Sequence, residues 1–191
     1  MQEYDYKDYK KIIREKMGDF RYTHSLNVAE EAVTLAKLYG GDERKAYTAG
    51  ILHDITKELS KEEQLQLFKD GGIILDDVQK TAPKLWHSIS GSIYIRLRLG
   101  IDDPDVINAV RYHTTGRAGM SLLEKIIYTA DFTSAERSYN GADIMREKSR
   151  RSLEEAMLFS CQFTLKNLSE KSAAIHPDQL FCYNDLVLER N

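Results

Sequence analysis

Ala49-Gly50-Ile51-Leu52-His53-Asp54-Ile55-Thr56-Lys57 is the stretch on which the reading of this chain turns. The apolar run from Ala49 to Leu52 ends abruptly in His53-Asp54, and Ile55 follows at once. Apolar residues on both sides predict that the pair points into the protein. A buried carboxylate is costly unless it is paired or holds a metal. Neutral imidazole is the commonest protein metal ligand, and a carboxylate beside it is a second donor for a divalent ion. An isolated His-Asp pair is still more often a core histidine capped by its neighbour than a pair of ligands. The rest of the chain shifts that balance.

Outward from this stretch the sequence reads as helix. Only 3 prolines and 11 glycines occur in 191 residues, and a 3.6-residue period recurs between them, which predicts an all-α fold. A first helix covers residues 6–17, with Tyr9, Ile12, Ile13 and Met17 on one side. Gly18 ends it, and Asp19 is placed to cap a second helix to about residue 39. That helix carries a stripe of Leu26, Ala29, Val33 and Ala36, with His24 near the stripe's edge. Asp42 caps a third helix, which runs into His53-Asp54. Ser60-Lys61-Glu62-Glu63 is a capping box that opens a short helix through Phe68. Residues 73–85 read as a variable connection containing Pro83.

Helical pattern resumes at His87 and runs to Gly100, and Gly91 with Ser88, Ser90 and Ser92 leaves room for another helix to come close. Asp103-Pro104 is an N-cap followed by proline at the first helical position. The helix it opens ends at His113-Thr114-Thr115-Gly116. Ser121-Leu122-Leu123-Glu124 is a second capping box, after which Leu123, Ile127 and Asp131 share one face at i, i+4 and i+8. Asp131 is thus a carboxylate on an apolar stripe. Gly141 marks a turn, residues 150–170 form a long amphipathic helix (Leu153, Met157, Cys161, Leu165, Leu168), and His176-Pro177 precedes a terminal helix. No repeat, low-complexity tract or linker appears. Residues 1–191 therefore read as one domain, with C-terminal helices over 150–190 packed on it.

Composition narrows the class without naming the chemistry. A hydrophobic share of 42%, a charged share of 30% and a net charge of -3 suit a globular protein and offer no basic footprint for nucleic acid or an anionic membrane. Met1-Gln2-Glu3-Tyr4-Asp5 lacks the cationic and apolar regions of a signal peptide. No apolar run approaches the roughly 20 residues that span a bilayer. Cys161 and Cys182 match no CxxC spacing and read as two buried thiols in a reducing cytoplasm. The expectation is a cytoplasmic protein without nucleic-acid or membrane partners.

The chemistry lies in a set of anomalies. His24, His53, Asp54, His87, His113 and Asp131 each sit on, or at the end of, an apolar helix, and the set takes four of the 5 histidines. Each alone has a bland explanation, but buried ionisable groups are uncommon without partners. Helices converging on one centre can build a polynuclear site from inward side chains, and mixed imidazole and carboxylate donors suit iron, manganese or zinc. Six donors allow two metals, a pair that clamps the attacking and leaving oxygens of phosphoryl hydrolysis. His176, beside a proline, reads as a surface loop residue and stays outside the set.

His24, then His53-Asp54, then a distant Asp131 resembles the H…HD…D signature of the HD superfamily of metal-dependent phosphohydrolases. Arg21-Tyr22-Thr23-His24, Leu52-His53-Asp54-Ile55-Thr56-Lys57, Trp86-His87, Arg111-Tyr112-His113-Thr114-Thr115-Gly116 and Glu124-Lys125-Ile126-Ile127-Tyr128-Thr129-Ala130-Asp131 resemble the bacterial YqeK-like branch over residues 19–141. That resemblance implies an all-α HD-domain bundle with a metal centre between its helices. It implies symmetrical bis(5'-nucleosyl)-tetraphosphatase activity, in which diadenosine tetraphosphate becomes two ADP. It also implies two divalent or trivalent ions held by His24, His53, Asp54, His87, His113 and Asp131, iron ahead of manganese, zinc or magnesium. A hydroxide on the two cations would attack an inner phosphate, with Asp54 and Lys57 in the catalytic set. Arg21, Lys57, Arg111 and Arg137, with Thr114, Thr115 and Gly116, are the candidates for binding a dinucleoside polyphosphate. A homodimer is left open. The alternatives are an HD phosphohydrolase of another nucleotide (a nucleoside mono- or triphosphate, or a signalling nucleotide) and a non-catalytic nucleotide sensor. One segment departs from the branch: Phe132-Thr133-Ser134-Ala135-Glu136-Arg137 keeps the basic residue but has no proline or glycine before it, which bears on nucleotide preference more than on the metals.

Overall fold

The structure, a computed structural model, describes residues 6–189. Residues 1–5, read above against a signal peptide, and 190–191 lie outside the described residues. The described chain is all helix, in the order α1 (Tyr6–Lys16), α2 (Asp19–Tyr39), α3 (Glu43–Leu52), α4 (Lys61–Asp70), α5 (Asp77–Thr81), α6 (Trp86–Leu99), α7 (Pro104–Tyr112), α8 (Leu122–Thr133), α9 (Ala142–Ser149), α10 (Leu153–Glu170) and α11 (Pro177–Leu188). One 3-10 turn, Pro83–Leu85, leads into α6.

The punctuation read from the sequence is mostly where the helices start. Asp42 accepts from the Arg44 and Lys45 amides at the head of α3, and Ser60 and Ser121 close complete capping boxes with Glu63 and Glu124. Each such cap satisfies amides that a helix start leaves without partners. Asp19 differs from expectation. Gly18 is the N-cap of α2, while Asp19 lies inside the helix and pairs with Arg14 at 2.6 Å. The connection over 73–85 contains α5, opened by a capping box between Asp76 and Gln79 that the sequence reading passed over. Gly141 is a turn with φ 100°, but α9 follows it before Ser152 caps α10.

The core places α2 at the centre, packed against α3 and α8, with α7 closing on α3 and α8. Its buried face is His24, Ser25, Val28, Ala29, Ala32, Leu35 and Ala36. His24 is therefore on the middle of the buried face and not at the edge of a stripe, because Leu26 and Val33 are only half-buried. Close approach is built in by small residues. A Cβ at Gly50 would stand 2.8 Å from Ala29 Cα, and one at Gly91 would stand 3.3 Å from Val110 Cγ1. Gly50 thus lets α3 meet α2 at near-backbone distance, and Gly91 leaves room on α6 for the Val110 side chain of α7. A second apolar cluster joins α8 to α10 and α11 through Tyr128, Met157, Cys161 and Cys182. Cys161 and Cys182 are free and buried, as read from the sequence. No helix among the described residues is long and apolar enough to cross a membrane.

Candidate metal centre

Local helix geometry aims three of the histidines. His53 and His113 are the C-cap residues of α3 and α7, and His87 is in the first turn of α6. Each ring turns its Nδ1 back to the carbonyl three residues earlier: Gly50 at 2.7 Å, Val110 at 2.8 Å and Lys84 at 2.8 Å. A carbonyl oxygen only accepts, so each Nδ1 carries the hydrogen and each neutral Nε2 presents a lone pair. His24 reaches the same tautomer by another route, since its Nδ1 faces the carboxylate of Glu136.

The four Nε2 atoms then meet. His24 and His53 stand 3.2 Å apart, and His87 and His113 stand 3.1 Å apart. Asp54 lies between the two pairs and divides its carboxylate. Oδ2 is 3.5 Å from His53 Nε2 and 3.8 Å from His24 Nε2, whereas Oδ1 is 3.2 Å from His87 Nε2 and 3.5 Å from His113 Nε2. Asp131 Oδ1 joins the first pair, 3.1 Å from His24 Nε2 and 3.9 Å from His53 Nε2. Bare lone pairs at this spacing repel unless something positive sits between them. Two donors about 2.1 Å from a shared cation, at roughly 90–110°, stand about 3.0–3.4 Å apart, which matches the shortest of these separations. Asp54 Oδ1 is also a buried acceptor without a hydrogen-bond donor among the described residues. The residues fit metal ions, and the donors of His24, His53 and Asp131, and of His53, Asp54 and His113, each lie within 4.8 Å of one another.

The electrostatics agree with that fit. Burial disfavours imidazolium at His53, whose pKa falls to about 4, and at His87, which lies well below its usual value. Both rings are thus held neutral, as ligands must be. Burial alone would raise the carboxyls of Asp54 and Asp131, yet facing imidazoles and the nearby Lys57 and Arg137 cations keep both well below the usual range. At His24 burial opposes the charged form, but Asp131 and Glu136 outweigh it and raise the pKa. Positive charge at His24 Nε2 is favoured by its surroundings.

Cations border the centre. Arg21 Nη1 donates to Asp54 Oδ2 at 2.6 Å, and Arg137 donates to both the side chain and the backbone carbonyl of Asp131. Lys57 Nζ lies 2.9 Å from His87 Nε2 and 3.8 Å from Asp54 Oδ1. Arg111 stacks over Tyr112 at 5.1 Å, and its charged neighbours are Asp178 and Asp76. Thr114 donates to Ser88 Oγ at 3.0 Å, Thr115 to the Gly116 carbonyl at 2.9 Å, and the Gly116 amide to the Tyr112 carbonyl at 2.8 Å. Those groups are engaged in holding the turn after His113.

Three residues outside the sequence-read set support the centre. Thr56 donates to the His87 carbonyl at 2.8 Å, tying the turn after Asp54 to α6. Glu136 and Asn27 back His24, with Asn27 donating to Glu136 Oε2 at 2.7 Å. Glu136 was visible only as part of the unusual segment after Asp131. His176 is buried and not a surface loop residue: it caps α11, and its Nε2 meets Gln79 Nε2 at 3.1 Å. The proline beside it marks a helix start.

Known proteins resemble this chain in sequence and fold. The HD domain model matches residues 21–136. The chain is 38% identical over 179 residues to the symmetrical bis(5'-nucleosyl)-tetraphosphatase of Halalkalibacterium halodurans, covering 94% of this chain and 95% of that one. To the protein of the same name from Bacillus subtilis it is 36% identical over 178 residues, 92% and 94% of the two chains. A crystal structure described as a predicted HD superfamily hydrolase involved in NAD metabolism, from Clostridium acetobutylicum, superposes with a TM-score of 0.94 at 36% identity, over 98% of this chain and 100% of that one. This chain belongs to the HD domain family and, within it, to the group that the bis(5'-nucleosyl)-tetraphosphatases of H. halodurans and B. subtilis represent.

Proposed function

We propose that this chain is a metal-dependent hydrolase that cuts diadenosine tetraphosphate at the centre of its phosphate bridge and releases two ADP. The observation that carries the reading is Asp54, whose two oxygens each face a separate pair of imidazole Nε2 atoms. His24, His53, Asp131 and Asp54 Oδ2 would hold one cation, and His87, His113 and Asp54 Oδ1 a second. The mixed donor set suits iron first, with manganese, zinc or magnesium as the other candidates. The names of the relatives supply the substrate.

Bound divalent cations supply Lewis acidity toward phosphoryl oxygens and acidify water toward neutral pH. The protein's own residues do the rest. Asp54 and Asp131 bring negative charge to a buried place and would hold cations there. Arg21, Lys57 and Arg137 border the ligands with positive charge, and charge-assisted contacts from such groups to phosphate are strong and directional. Burial, against the pull of the Asp54 and Asp131 carboxylates, lowers the Lys57 pKa. Lys57 would thereby be a better proton donor to a departing phosphate oxygen than an exposed lysine. Overall, one water is consumed, the central P–O–P bond breaks, and each ADP leaves with one of the two phosphate pairs.

The reading places the protein in the cytoplasm, where the free thiols Cys161 and Cys182 stay reduced, with a dinucleoside polyphosphate as its partner. Hydrolysis in oxygen-18 water, followed by chromatography and mass spectrometry, tests it. The expected outcome is ADP alone, with label in one of each two molecules. ATP and AMP in equal amounts would contradict central cleavage. Absence of product from metal-loaded protein, with turnover of a different nucleotide in the same panel, would replace the substrate.

A further inference from the structure

Three of the four histidines at the centre orient themselves on backbone carbonyls within their own turn. His24 instead turns Nδ1 to the carboxylate of Glu136, which is 112 residues away in sequence. That carboxylate is itself fully engaged. Its Oε1 also accepts from the Ser134 hydroxyl at 2.8 Å, and its Oε2 accepts from Asn27 Nδ2 at 2.7 Å. Asn27 lies one turn beyond His24 on α2, so one helix supplies both the ligand and the clamp on its partner. The segment carrying Glu136 is anchored separately: the Thr133 hydroxyl donates to Glu31 at 2.9 Å, and Arg150 donates to Glu31 at 2.8 Å.

A carbonyl and a carboxylate hold the same imidazole tautomer with different electrostatics. An ionised acceptor at Nδ1–H makes Nε2 a more basic ligand, whereas a neutral carbonyl does so less. Carboxylates are also unevenly shared. The half of the centre with His24 and His53 has Asp131 Oδ1 and Asp54 Oδ2, while among the described residues the half with His87 and His113 has Asp54 Oδ1 alone.

We propose that Glu136 is a positioning residue that makes the two halves unequal: acting through His24, it gives the His24, His53 and Asp131 half the tighter hold, so that this half fills first. The proposal rests on the reading of the centre as a two-cation site. It assigns a purpose to the unusual segment after Asp131, which places a carboxylate behind His24.

The test is calorimetric titration of the purified full chain with Mn(II) after chelator treatment and dialysis, checked by competition with a chelator of known affinity. Wild type is expected to take up two ions in two resolved steps. Glu136→Ala is expected to weaken the tight step by about 10–100-fold, the usual cost of removing such a partner, and to leave the weaker step unchanged. Glu136→Gln keeps an oxygen for His24 Nδ1–H but no charge, and an intermediate loss is expected; it decides the matter if the alanine variant does not fold. Glu31→Gln loosens the same segment without touching His24 and is expected to leave both steps as in wild type. Melting of the chelated proteins reads folding independently. Unchanged steps in both Glu136 variants overturn the proposal. So does a Glu31→Gln protein that loses the tight step as fully, because loop packing would then be the cause. Wild type binding fewer than two ions overturns the two-cation reading itself, a failure distinct from either of these.

Discussion

Asp54 concentrates the chemistry in one side chain. Its carboxylate faces four imidazoles and Arg21 at once while 2% exposed. Asp54→Ala removes a carboxylate whose two oxygens face both halves of the centre, so hydrolysis is expected to fall by roughly three orders of magnitude or more. Circular dichroism should show the same helix content, since no cap or apolar contact is lost. A folded Asp54→Ala protein with near-normal turnover would take Asp54 out of the mechanism. Arg21 makes the contrasting case. It touches Asp54 from the half-buried rim and ligates nothing. Arg21→Ala is expected to raise KM roughly tenfold or more, the scale of one charged hydrogen bond, with metal content intact. An unchanged KM alongside lost metal would make Arg21 a support for Asp54 instead.

At the scale of elements, the centre depends on how closely α3 lies on α2. Gly50 supplies both the space for that approach and the carbonyl that aims His53. A methyl there meets the Ala29 backbone, which cannot rotate away as a side chain would. Gly50→Ala is therefore expected to cost about 1–3 kcal/mol, the scale of overpacking, lowering Tm by about 2–4 °C per kcal/mol for a chain of this size. Metal affinity should drop with it, because α3 carries His53 and Asp54 outward. A thermal melt and a metal titration on the same variant check both effects. The capping boxes at Ser60 and Ser121 were legible because they are local, a side chain satisfying amides three residues away. The interior position of His24 on α2 was not, because Leu26 and Val33 of the apolar stripe end half-buried while Ser25 and Ala32 are buried by neighbours that only the assembled bundle supplies.

For the whole molecule, the pKa shifts set a direction for acid sensitivity. His53 titrates at about 4 in the folded chain and near the ordinary value of about 6.5 when unfolded. Between those values the unfolded chain binds more protons, so folding stability falls as pH falls through that window, by up to about 1.4 kcal/mol per pH unit for one group. His87 is shifted the same way by burial. His24 is raised and works in the opposite sense, stabilising at low pH and losing that contribution above its folded pKa. Two lowered imidazoles against one raised leave a net loss on acidification. Glu136, held to about 2 by His24, Asn27 and Ser134 against the effect of burial, adds a further loss below the usual carboxylate range. Urea melts of chelator-treated protein from pH 7 to pH 4 should show the midpoint falling, and His53→Gln should flatten that slope. A midpoint that rises toward pH 4 would mean that His53 is not buried neutral.

Sequence alone determined the helical class, most helix starts and six ionisable side chains as candidates, because each follows from local rules: a 3.6-residue period, a capping residue, an ionisable group on an apolar face. Distance in sequence hid everything else. That His24 and His53 pair on one oxygen of Asp54 while His87 and His113 pair on the other depends on the crossing of α2, α3, α6 and α7. Glu136 looked like one more charged residue in an odd turn until folding brought it to His24. Arg111 carried a motif and yet stacks over Tyr112. The physical reason is common to all three. A side chain's orientation within its own turn is set by its backbone, whereas its partner is set by which helices the buried apolar faces press together.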